Sequence, residues 1–279
     1  MKRFVIVLAI VVAAYAVFVN PIHLPGLPFG KQKSSATVTE QVNQMDVKVG
    51  TIKTDVVLGG GNRVHAKLRG KGSVSVQRSG NSIQIKTRRQ FTFFSWWDRS
   101  QVTITIPRSY AGALNLDVGS GMLEFDDEAN YRELAVNIAS GSANLSGISA
   151  DFAQIDVHSG NLRMDQLHVR SATLDLRSGN LNVTHFSGAF NAQVHSGNLK
   201  MGITELSGPV KASVNSGLAN FDLPNDADFR LNGKTNSGLL RCILPLKEKQ
   251  SGNGTISGIH GSGKATFDAT VNSGLLRIY

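Results

Sequence analysis

Two kinds of side chain in this sequence have spacings that could do chemistry: histidines, which bind metals or transfer protons, and aspartates, which bind cations or act as acids and bases. His158 and His195 fall at the same point of a repeated pattern, but Arg177 falls at that point between them. With ~4.8 Å between neighbouring strands, the two histidines would stand roughly 10 Å apart. That is too far to share a metal ion without other ligands, so the sequence predicts no histidine metal centre.

Asp117, Asp156 and Asp175 share another point of the same pattern and form a modest acidic strip. The strip could bind a cation, but it lacks the glycine-rich nonapeptide of calcium-binding β-rolls. A polysaccharide lyase or hydrolase built on a parallel β-helix would need clustered carboxylates, or a carboxylate with a basic partner, in a groove. The outward positions are mainly Asn, Ser, Arg and Lys, so we predict a protein that is not an enzyme and has no metal or cofactor. A polysaccharide-active enzyme is the alternative.

The segment from Gln90 to Arg99, which follows Arg88 and Arg89, combines aromatic and basic side chains and contains both tryptophans of the chain. This composition is typical of residues that anchor at a membrane interface or form a protein hot spot. In the alternative interpretation, the rings cover the end of the core as a hydrophobic lid. The candidate interaction residues are Arg88, Arg89, Phe93, Phe94, Trp96, Trp97 and Arg99.

Positive charge is concentrated around this segment. Residues 46–100 contain 11 Lys and Arg against three Asp, a net charge of +8, whereas residues 101–279 carry a net charge of −2. Such a patch favours an anionic partner, which we predict to be anionic lipid, an anionic wall polymer or an acidic envelope protein. The alternative is a solvated basic face without a dedicated partner. The apolar N-terminal segment described below argues against nucleic acid, because it directs the domain out of the cytoplasm.

A repeated phrase must position these side chains, and its clearest copy runs from Ile155 to Met164. Each copy alternates apolar and polar residues on both sides of a Ser-Gly pair, which predicts strand, bend and strand. A fixed period of about 20 residues is the signature of a solenoid, in which each repeat buries its apolar edge against its neighbours. We therefore predict an all-β fold, a single-chain parallel β-helix, or β-solenoid. The serines of the copies are Ser120, Ser140, Ser159, Ser178, Ser196, Ser216, Ser237 and Ser273, and the last gap is about two periods.

The alternation predicts which side chains form the core. Inward columns lie two residues before each serine and two and four residues after each glycine, with a polar, water-facing column between the latter two. The single cysteine, Cys242, falls in an inward column, which indicates packing rather than reactivity. The column before the serine contains Val118, Ile138, Val157, Leu176, Val194, Val214 and Val271, with polar Thr235 as the exception. The polar column contains Glu124, Asn144, Arg163, Asn182, Lys200, Asn220, Arg241 and Arg277.

Asparagines flank most of the Ser-Gly bends. Glycine supplies backbone conformations that a Cβ would forbid, while serine and asparagine bond to nearby backbone groups. We expect stacked coils to align the asparagines into ladders. This turn chemistry accounts for the residue types better than a ligand site at each bend.

The N-terminus begins with Lys2 and Arg3, followed by an apolar run from Phe4 towards Ile22. Counted as a helix, this run reaches roughly 28 Å, close to a bilayer core of ~30 Å. We predict a membrane anchor over residues 1–22, a linker over 23–45 and a β-solenoid over 46–279. Within the solenoid, 46–110 would form basic opening coils or a cap, and 111–279 the Ser-Gly repeats. The localisation predicted is the cell membrane, single-pass, with the domain extracytoplasmic. The alternative is a signal peptide cleaved near Ala16 and a secreted protein.

Several of these motifs resemble a bacterial family of β-strand-repeat domains of unknown function, known as putative adhesins and common in cell-envelope stress proteins of Gram-positive bacteria. The resemblance covers residues 46–279 and lies in Asp46–Val49, Val102–Pro107, Leu114–Gly121 and the repeated Ser-Gly-Asn-Leu. It implies a β-strand-repeat fold and no common activity. One N-terminal span before such a domain is similar to membrane-anchored members encoded with Lia-type envelope-stress systems. We therefore expect an envelope-stress or scaffold and interaction protein, with an adhesin or wall-polymer-binding module as the alternative.

Overall fold

The computed structural model describes residues 34–88 and 100–279. Within these ranges the chain forms 21 strands and no helix, which confirms the prediction of an all-β protein. The predicted anchor, residues 1–22, lies outside the described residues. Nothing in the described ranges is a helix long and apolar enough to cross a membrane.

The strands alternate along the whole described chain with short bends. In chain order they are β1 (Ser35–Thr37), β2 (Gln44–Val49), β3 (Lys53–Gly59), β4 (Arg63–Arg69), β5 (Ser73–Ser79), β6 (Ser82–Arg88), β7 (Gln101–Pro107), β8 (Ala113–Val118), β9 (Met122–Ile138), β10 (Ser142–Val157), β11 (Asn161–Leu176), β12 (Asn180–Val194), β13 (Asn198–Glu205), β14 (Val210–Val214), β15 (Leu218–Asp222), β16 (Phe229–Thr235), β17 (Leu239–Cys242), β18 (Lys247–Gly252), β19 (Thr255–His260), β20 (Ala265–Val271) and β21 (Leu275–Ile278).

The central coils stack in parallel, and each residue pairs with its counterpart one repeat away. Leu162 of β11 lies between Ala143 of β10 and Leu181 of β12. All three side chains are buried, because alternate residues of each strand point into the space between the two sides of the coil. The predicted inward column before the serine is likewise buried in every coil except at Thr235. The hydrophobic alternation therefore predicted the register correctly.

The Ser-Gly bend needs glycine because neighbouring bends stack almost in contact. A Cβ built on Gly160 would overlap the carbonyl oxygen of Gly141, and one built on Gly179 would overlap that of Gly160. The expected asparagine ladder is present beside these bends. Asn180 Nδ2 donates to Asn161 Oδ1 at 2.8 Å across neighbouring coils.

A second bend recurs within the long strands β10 to β12. Gly147, Gln166 and His185 occupy equivalent positions in successive coils and have φ angles of 71°, 55° and 54°. A positive φ is uncommon for residues other than glycine. The sequence did not reveal this bend, because its three residues share a backbone conformation and no side-chain type.

At the N-terminal end the first coil of the sequence is not the first in the stack. Strand β2 pairs with β6 on one side and β8 on the other, and β3 lies in the same way between β7 and β9. Antiparallel strands then cover the outermost coil: β5 pairs with β6, β4 with β7 and β1 with β4. Strand β1 therefore belongs to the folded body, although it falls within the interval predicted as linker.

The C-terminal end repeats this arrangement in reverse. Strand β20 lies between β14 and β16, and β21 lies between β15 and β17, so the last coil of the sequence enters the stack before the preceding one. The hairpin of β18 and β19 covers β16 with antiparallel pairing. The gap from Ser237 to Ser273, about two periods in length, thus contains a hairpin and not a second coil.

Strand β17 ends its ladder, and this position affects its inward side chains. Leu240 and Cys242 are only partly buried, unlike their counterparts in earlier coils. The Cys242 thiol donates to the carbonyl oxygen of Leu244 at 3.7 Å, and its burial raises the pKa of the thiol. The predicted packing role of Cys242 is therefore met in part.

Candidate interaction surface

One of the seven candidate interaction residues lies in the described part of the chain. Arg88 ends strand β6, is exposed and pairs across the antiparallel ladder with Ser73 of β5. Residues 89–99 lie outside the described residues, so the proposed role of the aromatic segment stays a prediction. The six candidates in that segment are Arg89, Phe93, Phe94, Trp96, Trp97 and Arg99.

Strand β4 carries a row of exposed basic side chains, which we call the β4 row: Arg63, His65, Lys67 and Arg69. They share one face because Val64 and Ala66, on the other face, are buried in the core.

The described neighbours of the β4 row give it no negative charge. The paired residues in β7 are Thr105 opposite His65, Thr103 opposite Lys67 and Gln101 opposite Arg69. Arg63 donates from Nη2 to Ser35 Oγ of β1 at 2.9 Å. Within residues 34–88 and 100–279, Lys67 and Arg69 form no ion pair. The positive charge of the row is therefore available to an external anion.

A second basic group lies on the other ladder of the same end. Lys86 of β6 is directly beside Lys48 of β2, and Arg88 follows on the same face of β6. Lys48 lies 3.9 Å from an oxygen of Asp117, a long contact between two half-exposed groups. The charge count placed the excess of positive charge in residues 46–100. Only the strand pairing shows that this charge is divided between two ladders, that of β4 with β7 and that of β6 with β2.

The acidic strip is interrupted by Asn137 in the structure. Asp117 pairs with Asn137, Asn137 with Asp156, and Asp156 with Asp175, one residue in each of four coils. His195 Nε2 lies 3.6 Å from Asp175 Oδ1 in the neighbouring coil.

The described residues contain no group of three or more His, Cys, Asp or Glu side chains arranged to hold a metal ion. His158 and His195 are separated by the coil of Arg177, as predicted from the repeat.

A depression of about 510 Å³ lies on the outward face of strands β9 to β12, and sequence analysis did not single it out. The predicted polar column supplies one side of it, and the residues two positions further along each strand supply the other. The signal was present in the sequence, because the alternation that fixed the polar column continues through these positions. The polar lining residues are Glu124, Asp126, Asn144, Ser146, Arg163, Asp165, Asn182 and Thr184.

Asp165 is the most strongly hydrogen-bonded carboxylate of this depression. Thr184 Oγ1 donates to Asp165 Oδ1 at 2.5 Å, and His185 Nδ1 lies 2.7 Å from the same oxygen. These bonds, first that of Thr184 and then that of His185, lower the pKa of the Asp165 carboxyl. The depression thus presents an ionised carboxylate together with amide, hydroxyl and guanidinium groups, a set suited to binding polar ligands.

The stacked parallel coils, antiparallel ends and outward polar columns define an all-β, β-solenoid-like repeat domain. The chain belongs to the family described as Toastrack DUF4097, whose model matches residues 30–278. This confirms the family resemblance that the repeated motifs indicated. A search of curated proteins finds no match.

Two solved structures are similar to this chain. One is described as a putative adhesin from Bacteroides fragilis NCTC 9343, with 13% identity, 88% of this chain and 95% of that chain covered, and a TM-score of 0.48. The other is described as a putative cell adhesion protein from Clostridium sporogenes ATCC 15579, with 12% identity, 88% and 96% covered, and a TM-score of 0.28.

Proposed function

We propose that this protein is a membrane-anchored, extracytoplasmic and non-enzymatic interaction domain that docks its basic N-terminal end on an anionic surface. In this role it would act as a scaffold in the cell envelope, including under envelope stress. The observation that carries the proposal is the β4 row, in which Lys67 and Arg69 are exposed beside uncharged neighbours. The apolar run that begins at Phe4 supports the anchor and the extracytoplasmic location.

The favoured surface is anionic lipid. Each Lys or Arg close to such a surface contributes roughly 1 kcal/mol, and the contribution decays over about 10 Å in 0.1 M salt. The alternating residues of β4 lie roughly 7 Å apart along the strand, so several can approach one plane together. A tether would raise the local concentration of the surface, so even modest attraction would orient the domain.

Vesicle binding by the compact unit Lys33–Tyr279 tests this proposal. We expect it to sediment with vesicles containing phosphatidylglycerol and not with vesicles of phosphatidylcholine alone, and to be released by salt. The double variant Lys67→Gln/Arg69→Gln should bind clearly less. The matched control Lys211→Gln/Arg230→Gln removes the same charge from exposed positions in β14 and β16. Equal loss in both variants would contradict docking through the β4 row.

A second candidate function is an adhesin or wall-polymer-binding module. The depression on β9 to β12 favours it, because carboxylate, amide and guanidinium groups together can bind a polar polymer. Arg163→Ala should then weaken binding to a polyglycerol phosphate polymer while leaving vesicle binding unchanged. Carbohydrate turnover by the domain, lost when Asp156 and Asp175 are changed to Asn, would instead indicate an enzyme.

A further inference from the structure

Among the strands of residues 34–88 and 100–279, none pairs with the second edge of β17. It pairs in parallel with β21 on one side, whereas β16 of the same coil is covered by β19. The amides of Leu239 and Ile243 donate to the carbonyl oxygens of Gly274 and Ile278 in and beside β21. Because successive residues of a strand point their backbone groups to opposite sides, Leu240 and Cys242 direct theirs to the open edge. An open edge of this kind is a template for another strand.

The outward face of β17 is apolar at both ends and basic in the middle. Leu239 is 53% exposed and Ile243 is 64% exposed, the two highest values for large apolar side chains among the described residues, and the exposed Arg241 stands between them. The apolar surface of these two side chains would be removed from water only if a partner bound over it. The face therefore offers two apolar contacts that flank one charge.

Further cations adjoin Arg241. Arg277 of β21 pairs directly with it, so two guanidinium groups stand on neighbouring strands, an arrangement that is destabilising without an anion. Neither arginine forms an ion pair within the described ranges of the chain. A depression of about 470 Å³ beside them is lined by Lys200, Asn220, Arg241, Ile243, Arg277 and Tyr279.

We propose that the β17 edge binds an extended segment of a partner protein in which an acidic residue lies between apolar residues, added as a further strand of the ladder. The backbone groups of Leu240 and Cys242 would supply the strand hydrogen bonds. The acidic side chain would lie beside Arg241 and Arg277, and the outward apolar side chains beside Leu239 and Ile243. Inward apolar residues would cover the partly buried Leu240 and Cys242. This proposal is independent of membrane docking at the other end of the stack.

Charge decides between this partner and a second copy of the chain. In the symmetric antiparallel pairing that uses both open residues of each strand, Leu240 would pair with Cys242 of the other copy. Arg241 would then stand directly opposite its own counterpart, in the position where cross-strand side chains are closest. An acidic segment meets no such repulsion.

Binding of designed peptides to the full-length protein tests the proposal. The probe is a fluorescent peptide with the core Ile-Val-Glu-Val-Ile between Gly-Ser flanks, and its control has Lys in place of Glu. We expect saturable binding of the Glu peptide and at least roughly fivefold weaker binding of the Lys peptide, because one attraction is replaced by a repulsion. The variant Arg241→Glu should reverse this preference.

The matched control variant is Arg163→Glu. It makes the same charge change in the same outward column, but on β11, which is paired on both sides. It should leave peptide binding unchanged, and circular dichroism and thermal unfolding should show that both variants are folded. Equal weakening by the two variants, or equal binding of the two peptides, would overturn the proposal. A concentration-dependent dimer that is lost in Ile243→Ser, without peptide binding, would assign the edge to a second copy and overturn it as well.

Discussion

Asp228 is the most fully bonded carboxylate that we find among the described residues, although it lies near the surface. It precedes β16 and accepts hydrogen bonds from the turn after β19: from the Ser262 hydroxyl at 2.6 Å, the Ser262 amide at 2.8 Å, the Gly263 amide at 2.5 Å and the Lys264 amide at 2.9 Å. These bonds, first that of the Ser262 hydroxyl and then that of the Lys264 amide, lower the pKa of Asp228 to about 2. The carboxylate thus holds together the two chain segments that exchange places in the stack.

The lowered pKa predicts a pH dependence of stability. The folded pKa of Asp228 is below its unfolded value of 3.8. Its stabilising contribution to the free energy of unfolding is therefore complete above pH 3.8 and is lost as pH falls towards 2. Chemical unfolding at several pH values should show this loss in the wild type and a smaller loss in Asp228→Asn. The exposed neighbour Asp226 provides the control, since Asp226→Asn should retain the wild-type profile. Identical profiles for wild type and Asp228→Asn would contradict this account.

At the scale of a strand, the alternation of β12 makes opposite predictions for adjacent residues. Leu181 is 1% exposed, so Leu181→Asp places a charge in the apolar core and should cost several kcal/mol of unfolding free energy. Asn182 lies on the outward face between Arg163 and Lys200. Asn182→Asp should therefore change stability by no more than about 0.5 kcal/mol. Urea unfolding of both variants measures the difference, and similar losses for the two would contradict the register.

The strands and core columns could be predicted because each inward residue obeys a local rule. Val118, Val157 and Leu181 alternate with polar neighbours, and the alternation alone fixes the face. The bend at Gln166 and His185 could not be predicted, because no residue type marks it. The β4 row was visible as charge, and the alternation within β4 places its residues on one face. Its uncharged neighbours could not be predicted, because they depend on the antiparallel pairing of β4 with β7, which the sequence does not specify.

At the scale of the whole molecule, the stacking order departs from the sequence order at both ends. Most copies of the repeat present similar apolar columns and the same bend, so coils that are not consecutive in the sequence can stack on each other. The chain uses this freedom to place an antiparallel strand or hairpin outside its last parallel coils. In the part of the chain that the structure describes, antiparallel strands cover three of the four ends of the two strand ladders, and the fourth end is the short strand β17. Antiparallel ends and short edges are common ways to limit unwanted strand pairing.

Engineered disulfides test the exchanged order at the C-terminal end. Asn272 donates to Asn215 at 2.6 Å, and Asn236 donates to Asn272 at 2.9 Å, so Asn272 lies between the other two. In a Cys242→Ser background, Asn215→Cys/Asn272→Cys should form a disulfide on oxidation, because neighbouring strands are ~4.8 Å apart. Asn215→Cys/Asn236→Cys should not, because roughly 10 Å separates strands two positions apart. Mass spectrometry before and after reduction shows which pair forms a disulfide. Stacking in sequence order would instead predict a disulfide in Asn215→Cys/Asn236→Cys and none in Asn215→Cys/Asn272→Cys.

If the N-terminal end of the stack docks on an anionic surface, the domain should take one defined orientation on anionic vesicles. In the unit Lys33–Tyr279 with Cys242→Ser, a donor fluorophore is attached at Ser35→Cys, which pairs with His65 of the β4 row, or at Ser251→Cys in the hairpin of β18 and β19. Omitting residues 1–32 removes any bias from an anchor. With an acceptor on the lipid headgroups of phosphatidylglycerol vesicles, we predict stronger energy transfer from the Ser35 site than from the Ser251 site. Equal transfer from both sites, or stronger transfer from Ser251, would contradict docking through the basic end.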